Sequence, residues 1–435
     1  MLSIKTDLPN IHWLIYITEE FRRINLAQFN IEILSLEDTP SSKNVIYYTQ
    51  QPNQKLSVYN SSEKPPSKNI EYIKNNLFIL ENTRANRFTV EYDLFWNAFV
   101  FLSRYEEHFS EQNGKPIYSY SLNHPRTDKR SFDIPIVNIL FNELEQLITE
   151  NFPLLTFGEK QEPVIDLSHD VDYLKKTVQL RLKQTAFNTY NTIKNVFKPA
   201  QFIKHLSKTI SFAVSSPSYW CFDYWQDLEK KHHRRSTFYV YVKTGRKDFR
   251  SWLIDPSYDI QTDTKLQAKL KELKDNGFEI GLHGSYYSAK EFSRLKEEKE
   301  ILENILGCKV TKTRQHWLNY FENVTPFNHN RLFQTDSTLG WNDRMGFRSG
   351  IASAYRPYNF KEKKAFNYTI IPQVIMDSNV YEYSSDPLIF KKAKKLIALS
   401  KQISKTTCIS ISWHQRVCSP DYKWHTFYEE LLNDL

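Results

Sequence analysis

Residues 164–172 read VIDLSHDVD. Val164, Ile165 and Leu167 have the β-branched and apolar character of a short buried strand, and the run ends abruptly in His169-Asp170-Val171-Asp172. On an extended chain alternate side chains share a face, so Asp170 and Asp172 emerge on one side. Like charges held that close are costly unless a cation or a proton relieves them, which suits one ligand and one base. An exposed acidic turn after a strand is the plain alternative, and spacing alone leaves both readings open.

Downstream, the same kind of segment recurs. STFYVYV (236–242), FEIGL (278–282), TKTRQHW (311–317), RLFQTD (331–336), YTIIPQVIM (368–376) and TCISISW (407–413) read as further strands. Helical stretches lie between them. One is expected over Thr262 to Asn276, with Leu266, Leu270 and Leu273 on one face and Gly277 as its stop. Another is expected to start at Ser288, where Glu291 stands at capping-box distance, to turn Phe292, Leu295, Leu302 and Leu306 inward, and to end at Gly307. Strands alternating with helices predict a parallel α/β barrel.

In such barrels chemistry gathers where strands end, and the unusual residues lie there: His283 after FEIGL, Arg314 and His316 in TKTRQHW, Asp336 after RLFQT, and Trp413-His414 at the end of the last strand. A lone strand-end histidine is more often structural than ligating; the combination is the stronger signal. Arg314 and His316 share a face under strand alternation. No P-loop and no GxGxxG is present, so phosphate-cradling chemistry has no support.

Upstream, residues 1–155 form a separate unit. Apolar runs (WLIYI, NIEIL, NVIYYT) are followed by a polar loop, QPNQKLSVYNSSEKPPSKN (51–69), a helix from Tyr92 to Tyr105 and a second helix from Ile136 to Ile148; NFPLLTFGEKQEP (151–163) reads as the linker.

The chain has 435 residues, enough for two domains, and 40% hydrophobic residues, enough to fill their cores. No signal-peptide pattern opens it and no apolar run is long enough to cross a membrane. The four cysteines, Cys221, Cys308, Cys408 and Cys418, form no CxxC pair and read as thiols in a reducing compartment. A cytoplasmic or membrane-peripheral location follows. The net charge of +8 is concentrated: Tyr173 to Phe222 holds eight Lys and Arg and no Asp or Glu. No nucleic-acid-binding motif accompanies it, so nucleic acid is not an expected partner. This basic segment is a helical insertion, about 174–218, after the first strand. Its apolar residues (Val178, Leu182, Phe187, Tyr190, Ile193, Phe197, Phe202, Leu206) alternate in threes and fours with lysines. A helical cover packed on the protein is the favoured reading; peripheral contact of 174–210 with an anionic membrane is the alternative.

The motifs together resemble the polysaccharide-deacetylase family (NodB-like, carbohydrate esterase 4 type), in the bacterial subgroup that reads HDVD, IGLHxSY, RQH, GFRxG and WH. Here these are HDVD at His169–Asp172, GLHGSY at Gly281–Tyr286, TRQHW at Thr313–Trp317, DSTLGWNDRMGFRSG at Asp336–Gly350 and SWHQR at Ser412–Arg416. FLSRYEEH (101–108) and FDIPIVN (132–138) resemble the accessory domain that precedes the catalytic one in that subgroup. The resemblance implies a distorted (β/α) barrel of NodB-like type over 160–435, preceded by a smaller α/β accessory domain over 1–155. It also implies hydrolysis of an N-acetyl group on an amino sugar of a polysaccharide or glycolipid precursor, with a divalent metal, usually zinc.

Carried over by motif, Asp170 is the general base, Arg314 orients it and His414 is the general acid, while Asp172 and His283 are metal ligands. The family's second histidine lies four residues after the first, where this chain has Tyr287; His316 is the candidate replacement. Arg348, Trp413 and Asp336 are candidate substrate contacts. Arg348 tying a loop, Asp377 capping a helix, and Trp413, Trp341 and Trp317 packing as core are the bland readings of those positions. A catalytically degenerate glycan-binding protein, or an amidase acting on a non-sugar amide, are the alternative functions.

Overall fold

The computed structural model describes the whole chain except residues 53–54, 64–69, 74–76, 81–84 and 382–387. It divides into two compact units, Met1–Asp166 with Tyr320–Ile411, and Leu167–Asn319 with Ser412–Leu435. This division differs from the expected boundary near residue 155. The reason is a continuous core: Tyr320, Leu339, Ile351, Tyr355, Tyr368 and Ile370 are buried in the same apolar cluster as Leu2, Ile17, Phe99 and Phe141.

In the first unit β1 (Leu2–Thr6), β2 (Ile31–Ser35), β3 (Val45–Thr49) and β4 (Ser57–Tyr59) form a parallel sheet in the order β2-β1-β3-β4, crossed by α1 (His12–Ile24). β4 lies inside the segment expected to be a polar loop, because Val58 is fully buried beside β3. β5 (Ile70–Ile73) and β6 (Leu77–Leu80) form an antiparallel pair.

The single helix expected over 92–105 is two, α2 (Leu94–Leu102) and α3 (Tyr105–Gln112). Between them Arg104 takes a left-handed backbone (φ 56°), and its buried guanidinium pairs with Glu322 at 2.7 Å. A non-glycine residue at positive φ is unfavourable, and this ion pair offsets that cost. The second expected helix is α4 (Ile136–Asn151).

The larger sheet has eight strands: β7 (Val164–Val171), β8 (Thr237–Tyr241), β9 (Glu279–Gly284), β10 (Lys312–Gln315), β11 (Thr335–Asp336), β14 (Thr369–Ile370), β15 (Gln373–Met376) and β16 (Cys408–Ser412). A separate antiparallel pair, β12 (Tyr358–Asn359) and β13 (Lys364–Ala365), lies between β11 and β14 in the chain. The order is β14-β11-β10-β9-β8-β7-β16-β15, and the central pairs are parallel. Side chains covered on both faces explain runs such as TFYVY in β8, where every residue is buried.

YTIIPQVIM supplies two strands rather than one. Pro372 has no N–H for a ladder, and the chain breaks there. The two pieces, only Ile371 and Pro372 apart, occupy opposite ends of the strand order, so the sheet curls until its edges approach. The fold is therefore a distorted (β/α) barrel. RLFQTD also shortens: Arg331 and Leu332 end a helix, α11 (Thr325–Leu332).

In the second unit α7 (Phe222–Lys231), α8 (Phe249–Ile254), α9 (Thr264–Asp275) and α10 (Phe292–Leu306) flank the strands. Gly277 (φ 82°) and Gly307 (φ 66°) end α9 and α10 in the left-handed conformation that glycine adopts without a Cβ penalty. The capping box at Ser288 does not form: α10 begins four residues later, and the Ser288 hydroxyl donates to the Ser285 carbonyl instead.

The basic insertion forms an antiparallel hairpin, α5 (Val178–Lys194) and α6 (Pro199–Val214). It is not a packed cover, since most of its large apolar side chains are exposed. Among the described residues no helix is long and apolar enough to cross a membrane.

Candidate functional site

All of the site's groups lie in the second unit. Parallel register aligns the carboxyl ends of neighbouring strands: Asp170 of β7 pairs with Tyr239 of β8, Tyr241 with His283 of β9, and His283 with Arg314 of β10. Alternation along β7 turns Asp170 inward and His169 the other way. The His169 ring is buried, with Nδ1 2.8 Å from the Trp413 carbonyl and Nε2 2.8 Å from Glu229 Oε1. The first residue of HDVD thus ties β7 to its surroundings.

Asp172, His283 and His316 are buried, and one ligand atom from each lies within 4.8 Å of the others. His283 Nε2 is 3.4 Å and His316 Nε2 3.6 Å from Asp172 Oδ1. Two ligand atoms bound at about 2.0–2.2 Å to a tetrahedral ion stand about 3.3–3.6 Å apart, so these separations fit one cation between them.

Three further observations agree with that fit. Asp172 Oδ1 makes no hydrogen bond of acceptable geometry, while Oδ2 accepts from Arg416 Nη1 at 2.8 Å. His283 Nδ1 faces the Arg314 carbonyl at 3.0 Å and His316 Nδ1 faces Asp255 Oδ1 at 3.1 Å; with a proton on each Nδ1, each Nε2 lone pair is free. Burial, ahead of the opposing pull of Asp172 and Asp255, holds the His316 pKa below its ordinary value, which keeps the ring neutral as a ligand must be.

Beside the triad, Asp170 Oδ1 accepts from Arg314 Nη1 at 2.7 Å; the same nitrogen donates to Ser412 Oγ at 2.8 Å. Arg314 is fully buried, with its guanidinium 4.5 Å from the Tyr239 ring centre. Burial alone raises the Asp170 carboxyl, but Arg314, then His283 and His414, outweigh it and hold Asp170 below the ordinary carboxylate range. His414 Nε2 lies 3.4 Å from Asp172 Oδ2, and its side chain keeps 16% exposure, the most of this group. A carboxylate kept ionised, a triad that could hold a cation and a solvent-reachable imidazole thus lie side by side.

Gly284, which follows His283, has no room for a side chain: a Cβ there would stand 2.4 Å from Gln315 Oε1. Tyr287, at the position of the family's second histidine, instead donates from its hydroxyl to Asp248 Oδ2 at 3.2 Å.

The three candidate substrate contacts are buried, each with partners of its own. In the first unit Arg348 donates to Glu107 (2.6 Å), Ser119 Oγ and the Gly340 carbonyl, which is the arrangement of a loop tie. Also in the first unit, Asp336 accepts from Thr338 N and faces His329 Nδ1 at 2.9 Å. In the second unit Trp413 is fully buried and donates from Nε1 to the Trp424 carbonyl. Asp377 and Trp341 are buried in the first unit, whereas the Trp317 ring carries Lys183 Nζ 4.4 Å from its centre.

Two site residues had not been expected. Asp255 ends α8, accepts Tyr286 N–H at 2.9 Å and faces His316. Its only local signal is an Asp-Pro dipeptide, which reads as a turn. Arg416 closes the quoted SWHQR motif, but nothing in its spacing points to Asp172.

No family model matches the chain, and no curated protein matches it. Solved structures of similar fold include a polysaccharide deacetylase of Mycobacterium smegmatis described as putative (14% identity, TM-score 0.38, covering 64% of this chain and 85% of that one). They also include a polysaccharide deacetylase of Bacillus cereus (10% identity, TM-score 0.27, 62% and 85% covered) and a CE4-family pseudoenzyme of Bacillus anthracis (9% identity, TM-score 0.29, 64% and 61% covered). The solved structures it resembles thus include polysaccharide deacetylases and a CE4-family pseudoenzyme, at a distance where the likeness does not extend to function.

Proposed function

We propose that this protein is a metal-dependent carbohydrate N-deacetylase, hydrolysing an acetamide on an amino sugar of a polysaccharide or glycolipid precursor to the free amine and acetate. The observation that supports it is the convergence of the Asp172–His283–His316 triad with the Asp170–Arg314 pair and His414. Residues 160–435 carry the chemistry in this reading, and residues 1–155 are accessory.

Asp172, His283 and His316 would hold the ion, and when bound it supplies Lewis acidity toward a poorly electrophilic amide carbonyl. Asp170, kept ionised by Arg314, takes a proton from the attacking water. Arg314 is held in turn by Ser412, so the carboxylate cannot swing away. His414, on the open side, delivers a proton to the departing nitrogen, and the C–N bond breaks with the amine leaving neutral. Arg416 takes up the second oxygen of Asp172 and thereby aims Oδ1 at the histidines.

The test is metal content together with activity. Wild-type protein is expected to hold about one zinc per chain, to lose it in His283→Ala and in His316→Ala, and to release acetate from N-acetylated amino-sugar oligomers. Asp170→Asn should retain the metal and lose the activity. A wild-type protein that cannot be loaded with any divalent ion would overturn the reading in favour of metal-free glycan binding.

A further inference from the structure

Beyond its foot, the α5–α6 hairpin distributes most of its side chains in the inverse of the pattern for a water-soluble helix pair. Much of its seam is polar: Asn188, Thr192 and Thr209 are buried, and the two threonine hydroxyls are 3.2 Å apart, while apolar Leu180 and Phe212 are buried near its foot. Its outer surface is apolar: Leu182 is 59% exposed, Tyr190 and Ile193 64% each, Ile203 65% and Phe197, at the turn, 95%. Polar and small residues between helices with aliphatic ones outside suit a hydrocarbon surrounding, where packing and hydrogen bonding, and not apolar burial, join helices. In water so much exposed apolar surface marks an interaction site.

Charge selects the partner. No acidic residue occurs from Tyr173 to Phe222. Lys194, Lys198 and Lys204, around the turn, are exposed beside Phe197 and Ile203. Long lysine stems can lie along apolar surface while their ammonium groups reach phosphate.

The foot of the hairpin meets the site: Gln179 Nε2 donates to the Asp255 carbonyl at 3.0 Å, and Asp255 faces His316. Next to it α8 exposes Phe249 (77%) and Trp252 (38%), with their rings 6.0 Å apart. Aromatic side chains of this kind favour the headgroup level of a bilayer.

We propose that the α5–α6 hairpin is a membrane-docking element that inserts its turn and apolar outer face into the interfacial region of an anionic bilayer. The helices are too short and too interrupted by lysine to span it, so the hairpin rests in one leaflet. The inference is independent of the reaction assigned to the site, and it places the site's surroundings at a lipid surface.

The experiment is vesicle co-sedimentation of the full chain. Phosphatidylcholine vesicles are compared with vesicles containing phosphatidylglycerol, and wild type with the triple variant Ile193→Asp, Phe197→Asp, Ile203→Asp. These side chains are exposed, so the variant should fold, which its thermal melt checks. Wild type is expected to partition about tenfold or more in favour of the anionic vesicles, and to lose that preference as salt screens it. The triple variant is expected to bind about tenfold or more weakly. Equal or negligible binding of wild type to both vesicles would overturn the proposal. So would sedimentation showing that the hairpin surface joins two copies of the chain, with dimers split by the triple substitution and no vesicle bound.

Discussion

Replacing Asp255 by asparagine keeps the shape of the candidate metal site and removes one charge from behind it. Asp255 Oδ1 accepts the Tyr286 N–H at 2.9 Å and faces His316 Nδ1 at 3.1 Å. An asparagine held by the same Tyr286 N–H keeps its carbonyl oxygen toward His316, so the imidazole stays oriented and retains its tautomer. What disappears is the negative charge that makes Nε2 more basic. Loss of such a partner lowers metal affinity by about 10–100-fold, which corresponds to about 1.4–2.7 kcal/mol. Because the hydrogen bond survives, the lower half of that range is expected for Asn and the upper half for Ala. The assay is competition for zinc against a chromophoric chelator, with metal-stripped wild type, Asp255→Asn, Asp255→Ala and His316→Ala in parallel, and the melting temperature of each stripped protein as a control for folding. If Asp255→Asn binds zinc within twofold of wild type while His316→Ala has lost it, Asp255 does not tune the ligand and the reasoning fails.

Arg314→Met leaves Asp170 buried and unpaired, so stability should fall by about 3–5 kcal/mol in denaturant melts, and adding Asp170→Asn should restore part of it. Glu298 is buried behind Ser285; burial outweighs the Ser285 and Ser288 hydrogen bonds and lifts its pKa to about 8. The folded state therefore binds a proton that the unfolded state releases near pH 4.5, and stability falls as pH rises from about 4.5 to 8, by an amount on the order of 3 kcal/mol at pH 7. Glu298→Gln should raise the melting temperature at pH 8 and change little at pH 4.5; a pH-independent effect refutes the assignment. Gly284→Ala should cost about 1–3 kcal/mol, because its methyl meets the buried Gln315 amide. Arg348→Ala should destabilise by about 3–5 kcal/mol through the stranded Glu107, yet leave zinc affinity unchanged; a selective loss of substrate binding without loss of stability would return Arg348 to the site.

Much of this architecture could be read from local residue patterns. The short, doubly apolar strands, the helix stops at Gly277 and Gly307 and the carboxylate pair in HDVD are set within a few residues of themselves, where backbone geometry and solvent exposure dictate the choice. For the same reason Asp170, Asp172, His283, Arg314, His316 and His414 could all be nominated as strand-end groups before any contact was known. What local pattern cannot carry is which of two faces or partners a residue finds across the chain. Arg104 bends its helix because Glu322, more than two hundred residues away, waits for it. YTIIPQVIM divides because Pro372 falls where the curling sheet must pass from one edge to the other. Asp255 and Arg416 reach the triad only through the register of parallel strands and the turns that follow them. The inverted hairpin shows the limit most plainly: an amphipathic repeat specifies an apolar face and a polar face, but only the packed structure decides which one is turned to water.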